Sequence, residues 1–181
     1  MQKPLDIECF RYEIKDGGYR ILGFAESFTE DVDELVFPEG VTEIAERAFR
    51  YYAPVEIYFP KSLLSIEKEA FEHCLCLKKI EFADDCALKK IGIRAFYCCE
   101  ELTIANLPNG LCEIERDAFC CCFELSKVFI PITVKTVGRD AFQYCDELEV
   151  IYIDGKRIPH GFDPFWKEDH TRVKFVDLSI N

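Results

Sequence analysis

Apolar and polar residues alternate along this chain in short runs that return at a nearly constant interval. The clearest marker is an Ala-Phe pair, which occurs five times with successive spacings of 22, 25, 23 and 23 residues. The pairs are Ala48-Phe49, Ala70-Phe71, Ala95-Phe96, Ala118-Phe119 and Ala141-Phe142. A fixed period of this length indicates a solenoid, in which each repeat forms one coil and buries its apolar side against its neighbours.

Other apolar positions keep a fixed distance from each Phe. The third residue after it is Tyr52, Cys74, Cys99, Cys122 or Cys145, and an alternating run such as 125–130 follows. Alternation with period two predicts a strand that buries one side. Pro follows four of the runs, at positions 38, 60, 108 and 131, and ends the strand because it has no N–H to donate. We therefore predict a repeat solenoid with short parallel strands on one face and irregular or helical-turn returns. The Ala-Phe pairs would lie on the returns, with Ala where backbones crowd and Phe in the interior.

A period in the low twenties, with a strand and a Cys at a fixed offset, is typical of leucine-rich repeats. The unit from Phe119 to Phe142 resembles the BspA-type leucine-rich repeat, which reads AFxxCxxLxxIxIPxxVxxIgxxAF, with Gly138 at the small-residue position. The resemblance extends over Val32 to Asp154. It implies a curved solenoid and a surface or secreted binding module of a microbe. It brings no shared catalytic residue.

The two ends of the chain depart from the repeat and predict caps. Residues 10–14 and 19–24 alternate around Asp16-Gly17-Gly18, which predicts a β-hairpin. We divide the chain into an N-terminal β-hairpin cap at 1–30, leucine-rich repeats at 31–154 and a degenerate capping repeat at 155–181. Phe165 follows Phe142 by 23 residues, residues 173–176 resemble a last strand, and Pro159, Pro164 and Trp166 would shield the last coil.

Composition narrows the choice of partners. The 181 residues carry 34 acidic and 22 basic side chains, for a net charge of −12, which disfavours nucleic acid. No apolar stretch is long enough to insert into a membrane, and the N-terminus lacks the apolar core of a secretory signal. As written, the sequence predicts a cytoplasmic protein. If a signal was removed, the cell surface or secretion is expected instead.

Eleven cysteines raise the question of metal or redox chemistry. The cysteines at the third position after each Phe fit the pattern of small buried hydrophobes stacked coil on coil. Their side chains are too poorly aimed at one another to form disulfides. A second column, two residues after Phe, contains His73, Cys98 and Cys121, and suggests a thiol-based metal or redox protein as an alternative function. No CxxC pair is present, and a column spreads ligands along a line, so no metal site and no cofactor are predicted.

Candidate catalytic chemistry is sparse. The three histidines have no companion at a catalytic spacing, and the glycines form no phosphate-binding loop. Acidic pairs such as Asp84-Asp85 are expected in solvated turns. The sequence therefore predicts no enzyme.

The outward side of the strands is the candidate binding surface. One outward position per repeat forms what we call the outer column: Val36, Tyr58, Glu81, Asn106, Phe129 and Tyr152. Its aromatic members favour binding of a protein partner, although aromatics also favour strands through cross-strand packing. The two-residue insertion near Ala83–Cys86 predicts an acidic loop beside this face, which could contact a basic partner. The leading hypothesis is a module for protein–protein interaction or adhesion. A scaffold that binds nothing itself is the third alternative, after the thiol protein.

Overall fold

The computed structural model describes residues 3–156 and 158–176, which form two ladders of short strands joined coil by coil. Strands are numbered in chain order. Sheet B contains β3 (Glu34–Val36), β5 (Glu56–Phe59), β7 (Lys79–Phe82), β9 (Ile104–Asn106), β11 (Lys127–Ile130), β13 (Val150–Asp154) and β15 (Arg172–Val176). Sheet A contains β1 (Phe10–Lys15), β2 (Gly18–Phe24), β4 (Val41–Ile44), β6 (Ser65–Ile66), β8 (Lys90–Ile91), β10 (Glu113–Ile114), β12 (Thr136–Val137) and β14 (Gly161–Phe162).

Sheet B is the ladder that the alternating runs predict. Its strands are all parallel, and each pairs with the strand one repeat away, as where Val128 and Phe129 pair with Ile151 and Tyr152. Inward residues such as Val128 and Ile151 are fully buried, whereas their neighbours face outward. The predicted leucine-rich-repeat solenoid is confirmed.

The return segments are more regular than the alternating pattern predicts. They contribute the strands β4 to β14 of sheet A, most of them only two residues long, which also pair in parallel from coil to coil. This second ladder gives the backbone N–H and C=O groups of the returns partners in the adjacent coils. Two residues are too few to show an alternating pattern, so no periodicity marks these strands in the sequence.

The interior between the sheets is built around the Phe column: Phe49, Phe71, Phe96, Phe119 and Phe142. Consecutive rings stack nearly parallel, with centroids 5.2–5.5 Å apart. These side chains are at most 2% exposed. The preceding Ala residues at 70, 95, 118 and 141 are fully buried, as expected where backbones crowd.

Tight turns aim each Phe of this column inward. The residues two before and two after it have left-handed backbone, with φ between 54° and 64°. These are Arg47, Tyr51, Glu69, His73, Arg94, Cys98, Asp117, Cys121, Asp140 and Tyr144. Left-handed backbone is uncommon for residues other than glycine, so the coils accept local strain to place the Phe ring.

Both ends of the solenoid are covered, and the C-terminal end differs from expectation in one residue. The predicted hairpin is present, since β1 and β2 pair antiparallel and β2 continues sheet A in parallel with β4. At the other end, Phe165 is 61% exposed and does not extend the Phe column. The Phe142 N–H bonds to the carbonyl of Trp166, where preceding coils use an Ala carbonyl, and the buried Trp166 ring packs edge-on against Phe142 at 6.0 Å. The last unit is therefore longer than 23 residues, and Trp166 shields the coil. The boundaries 1–30, 31–154 and 155–181 stay predictions, and residues 1, 2, 157 and 177–181 lie outside the described residues.

Candidate functional site: an aromatic and acidic groove on sheet B

The outer column lies on the outward side of sheet B and is paired in register on either side of a break between Glu81 and Asn106. Tyr58 pairs in register with Val36 on one side and Glu81 on the other. Phe129 pairs with Asn106 and Tyr152. Glu81 and Asn106 are exposed, and the other four side chains are partly buried. The structure thus places all six residues that the sequence predicts on one side of sheet B, one per strand, while their role in binding stays a prediction.

The aromatic members of the outer column occupy two different environments. Tyr58 belongs to a polar network, in which its hydroxyl donates to Glu56 and the Lys79 ammonium lies 5.2 Å from its ring centroid. Lys79 also pairs with Glu81 at 2.7 Å, and this carboxylate raises the pKa of Lys79. Phe129 and Tyr152 instead stack on each other at 4.9 Å with 12° between their planes. The second pair is a rigid aromatic platform, as expected for an interaction surface.

The two-residue insertion shapes the space in front of this platform. Residues Ala83–Cys86 form a turn closed by the Cys86 N–H and the Ala83 carbonyl, and the buried Cys86 thiol donates to the carbonyl of Pro60. Next to this turn, β7 and β9 pair in register only at Lys79 and Ile104. The interrupted ladder coincides with a pocket of about 380 Å³ lined by the acidic loop, Asn106 and Phe129.

A second pocket adjoins the first. It has a volume of about 720 Å³ and is lined by Val36, Tyr58 and Glu81 of the outer column. The two pockets share the lining residues Phe82 and Ala83, so they adjoin at the edge where the strands of sheet B end, and we call the two together the groove. We refer to them as the larger and the smaller pocket of the groove. Five of the six outer-column residues line it, and the sixth, Tyr152, supports Phe129 from behind.

Two polar residues of the groove are not among the candidates that the sequence predicts. Glu39 lines the larger pocket and Asn109 lines the smaller one. Both follow the Pro position, in the turns that lead from a strand of sheet B to a strand of sheet A. Their position within the repeat can be read from the sequence, but an alternating pattern does not indicate the direction in which a loop folds.

The thiol column of Cys74, Cys99, Cys122 and Cys145 is structural. Each side chain is fully buried, and its thiol donates to the carbonyl of the Phe in the preceding coil at 3.2–3.4 Å. Burial raises the pKa of the Cys145 thiol to about 12. The carbonyls of Phe49, Phe71 and Phe96 also accept a backbone N–H, so the thiols add a second donor to them. Buried thiols with a raised pKa are poor nucleophiles.

The alternative site around His73, Cys98 and Cys121 does not assemble into a ligand set. The His73 ring stacks on Tyr51 at 5.1 Å and contacts Tyr97 edge-on at 5.8 Å. Within residues 3–156 and 158–176, no group of three or more His, Cys, Asp or Glu side chains is placed to hold a metal ion. None of the eleven cysteines forms a disulfide, and burial raises the pKa of Cys98 to about 12. These properties argue against an activated thiolate at Cys98.

Comparison with known proteins agrees with the fold. The family described as the BspA type leucine rich repeat region matches residues 24–149 in 6 copies, and the chain belongs to this family. No curated protein matches the chain. Over the described part of the chain, no helix is long and apolar enough to cross a membrane.

Three solved structures illustrate the likeness. A leucine-rich repeat protein of T. pallidum is 29% identical with a TM-score of 0.76, over 83% of this chain and 71% of that one. A leucine rich cell surface protein of Faecalibacterium prausnitzii is 29% identical with a TM-score of 0.71, over 81% of this chain and 38% of that one. The pneumococcal vaccine antigen PcpA, at 21% identity and a TM-score of 0.62, shares the fold over 84% of this chain and 50% of its own. This chain spans half or less of the length of the last two. The family and fold are of a kind that typically serves as an interaction module.

Proposed function

We propose that the protein is a non-enzymatic binding module that holds a protein partner, as in adhesion, through the groove and the aromatic platform on sheet B. One observation carries the proposal. Five of the six outer-column residues line two adjoining pockets, and the sixth stacks on Phe129 at 4.9 Å. Aromatic side chains in partly buried positions on a rigid sheet are the usual anchors of protein interfaces. A cell-surface position would suit adhesion, and it is the position named for the F. prausnitzii relative.

The ladder geometry supports this role. Outward side chains on adjacent coils repeat at about 4.8 Å, so Phe129 and Tyr152 form one patch, while Tyr58 lies three coils from Phe129. A small partner would contact the platform alone. A partner that spans the stack would also reach Tyr58.

The test replaces the three aromatic residues of the outer column, Tyr58, Phe129 and Tyr152, with Ser. Outward strand residues contribute about 1 kcal/mol or less each, so the variant should stay folded. It should lose capture of the partner recovered from the source lysate or from extracellular matrix, because aromatic anchors dominate interface energy. The matched control replaces one Phe and two Tyr residues with Ser in the exposed turns that follow the Phe column: Tyr51, Phe123 and Tyr144. Capture that survives the first triple change, or fails equally in both variants, would contradict the proposal.

A further inference from the structure

The groove on sheet B is acidic as well as aromatic. Glu39 and Glu81 line the larger pocket, and Asp84 and Asp85 line the smaller one; among the described lining residues of both, no Lys or Arg is present. Lys79 partly neutralises Glu81 at 2.7 Å. In residues 3–156 and 158–176, Asp84 and Asp85 have no cationic partner within 4.0 Å. The smaller pocket therefore holds negative charge that the fold itself does not balance.

The smaller pocket also offers an open aromatic face. Tyr152 covers one side of the Phe129 ring, and Asn106, its register partner on the other side, has a short side chain. The pocket lies on that second side, between Phe129 and the acidic loop. An aromatic face beside carboxylate and amide oxygens is the environment that an ammonium or guanidinium group prefers.

The outer column already binds cations of the chain in this manner. The Lys79 ammonium lies 5.2 Å from the Tyr58 ring centroid, and the Lys174 ammonium lies 5.9 Å from that of Tyr152. Both distances fall within the range of about 6 Å for a cation–π contact. In the described part of the chain, the Phe129 ring has no such cation.

We propose that the smaller pocket binds a Lys or Arg side chain from a basic, extended segment of the protein partner, an inference that rests on the proposed function. The cation would lie against Phe129 and donate charge-assisted hydrogen bonds to the carboxylates of Asp84 and Asp85. The groove spans the five strands from β3 to β11, or about 19 Å, which matches about six extended residues. Alternate residues of such a segment point to the same side, so a second basic side chain reaches Glu39 and Glu81 in the larger pocket. The net charge of −12 would attract such a partner from a distance.

The test measures fluorescence anisotropy of a labelled peptide of about ten residues that alternates Lys and Ala, with a Glu and Ala peptide as its counterpart. The pocket variant carries Asp84→Asn and Asp85→Asn; Asn suits the left-handed φ of 60° at Asp85. The control variant carries Asp146→Asn and Glu147→Gln, which removes the same charge from two exposed residues outside the groove. We expect the pocket variant to weaken binding of the Lys peptide by a factor of about 10 or more, and the control by less than about 2. Phe129→Ser should weaken it as well.

Equal weakening by both charge variants would show diffuse attraction to an acidic protein and overturn the inference. The inference is also overturned if the Lys peptide does not bind at about 0.15 M salt. If the Asp84→Asn and Asp85→Asn variant binds the Lys peptide and captures the partner as the parent does, while the triple Ser variant loses capture, this inference fails and the proposed function stands. If neither variant affects capture, both fail.

Discussion

At the scale of single residues, stability should depend most on the Phe column. Phe96 is fully buried, with Phe71 and Phe119 stacked on its two faces at 5.4 and 5.2 Å. We expect Phe96→Ala to lower the free energy of unfolding by about 3–5 kcal/mol, because it leaves a cavity that rigid neighbours cannot fill. Chemical denaturation measures this, with Phe165→Ala as control, since Phe165 is 61% exposed. A Phe96 variant within about 1 kcal/mol of the parent would mean that the column is not the interior.

A second residue-scale prediction concerns the left-handed turns. Tyr144 has a φ of 55° and a side chain that is 57% exposed, so its ring contributes little packing. Tyr144→Gly removes the strain of left-handed backbone, about 1–2 kcal/mol, but adds freedom to the unfolded chain worth about 0.4–1 kcal/mol. We expect a gain in stability of up to about 1 kcal/mol in thermal or chemical denaturation. Tyr144→Val should destabilise, and the opposite order of the two variants would contradict the assigned backbone.

The residues that lie in the interior could be predicted from the sequence wherever the repeat is complete. Five phased Ala-Phe pairs leave one consistent assignment of the interior, and all five Phe rings lie there. The last unit shows the limit of this reasoning. A spacing of 23 selects Phe165, whereas backbone register places Lys167 opposite Phe142 and turns the Trp166 ring inward. Among the described residues no further coil follows Trp166 to enforce the period, and the larger apolar side chain takes the covering position.

At the scale of elements, the thiol column predicts a loss of stability in alkaline solution. Unfolded thiols titrate near about pH 8.5, whereas burial raises the pKa of Cys145 to about 12 and raises those of Cys99 and Cys122. Below about pH 8.5 the thiols are protonated in both the folded and the unfolded protein, so the free energy of unfolding does not change with their titration. Above it the unfolded chain alone releases the proton, so each thiol lowers the free energy of unfolding by about 1.4 kcal/mol per pH unit.

The measurement is chemical denaturation between about pH 7 and pH 10, in reductant, with Cys145→Ala expected to show a shallower decline. A chelator should change none of these curves, because the thiols bond to carbonyls. A flat profile for the parent protein would argue against buried thiols. A free energy of unfolding that falls when a chelator is added would instead favour the alternative of a thiol-based metal protein.

Element-scale prediction succeeded for sheet B and missed much of sheet A and the groove. Runs such as Lys127–Ile130 are long enough to alternate, and their Pro neighbours end them. Pairs such as Glu113–Ile114 are strands only because the adjacent coils offer parallel partners. The groove likewise depends on tertiary placement. The sequence nominated its outer-column residues and its acidic loop separately, but only the folded turn at Ala83–Cys86 brings the loop beside Phe129.

At the scale of the whole molecule, stability should be local to each coil and its neighbours. Contacts in the solenoid are nearest-neighbour, so damage at one end should propagate with decreasing effect. The C-terminal end depends on Trp166, which is 4% exposed and contacts Phe142 and Phe162 edge-on. Substitution of Trp166 can therefore test whether the coils unfold one after another or as one cooperative unit.

We expect Trp166→Ala to cost about 3–5 kcal/mol at the C-terminal coils, since it uncovers the last ring of the Phe column. Hydrogen exchange should then quicken most in β13, less in β11, and least in β5, whose neighbours are unchanged. The matched substitution Phe165→Ala, at an exposed neighbouring position, should leave the exchange pattern as it is in the parent. A uniform loss of protection from β5 to β13 would show one cooperative unit and contradict the nearest-neighbour account. A graded loss would mean that the larger pocket, on β3 to β7, keeps its shape while β13 frays. Because β13 carries Tyr152, which stacks on Phe129, partner capture should then weaken through the aromatic platform.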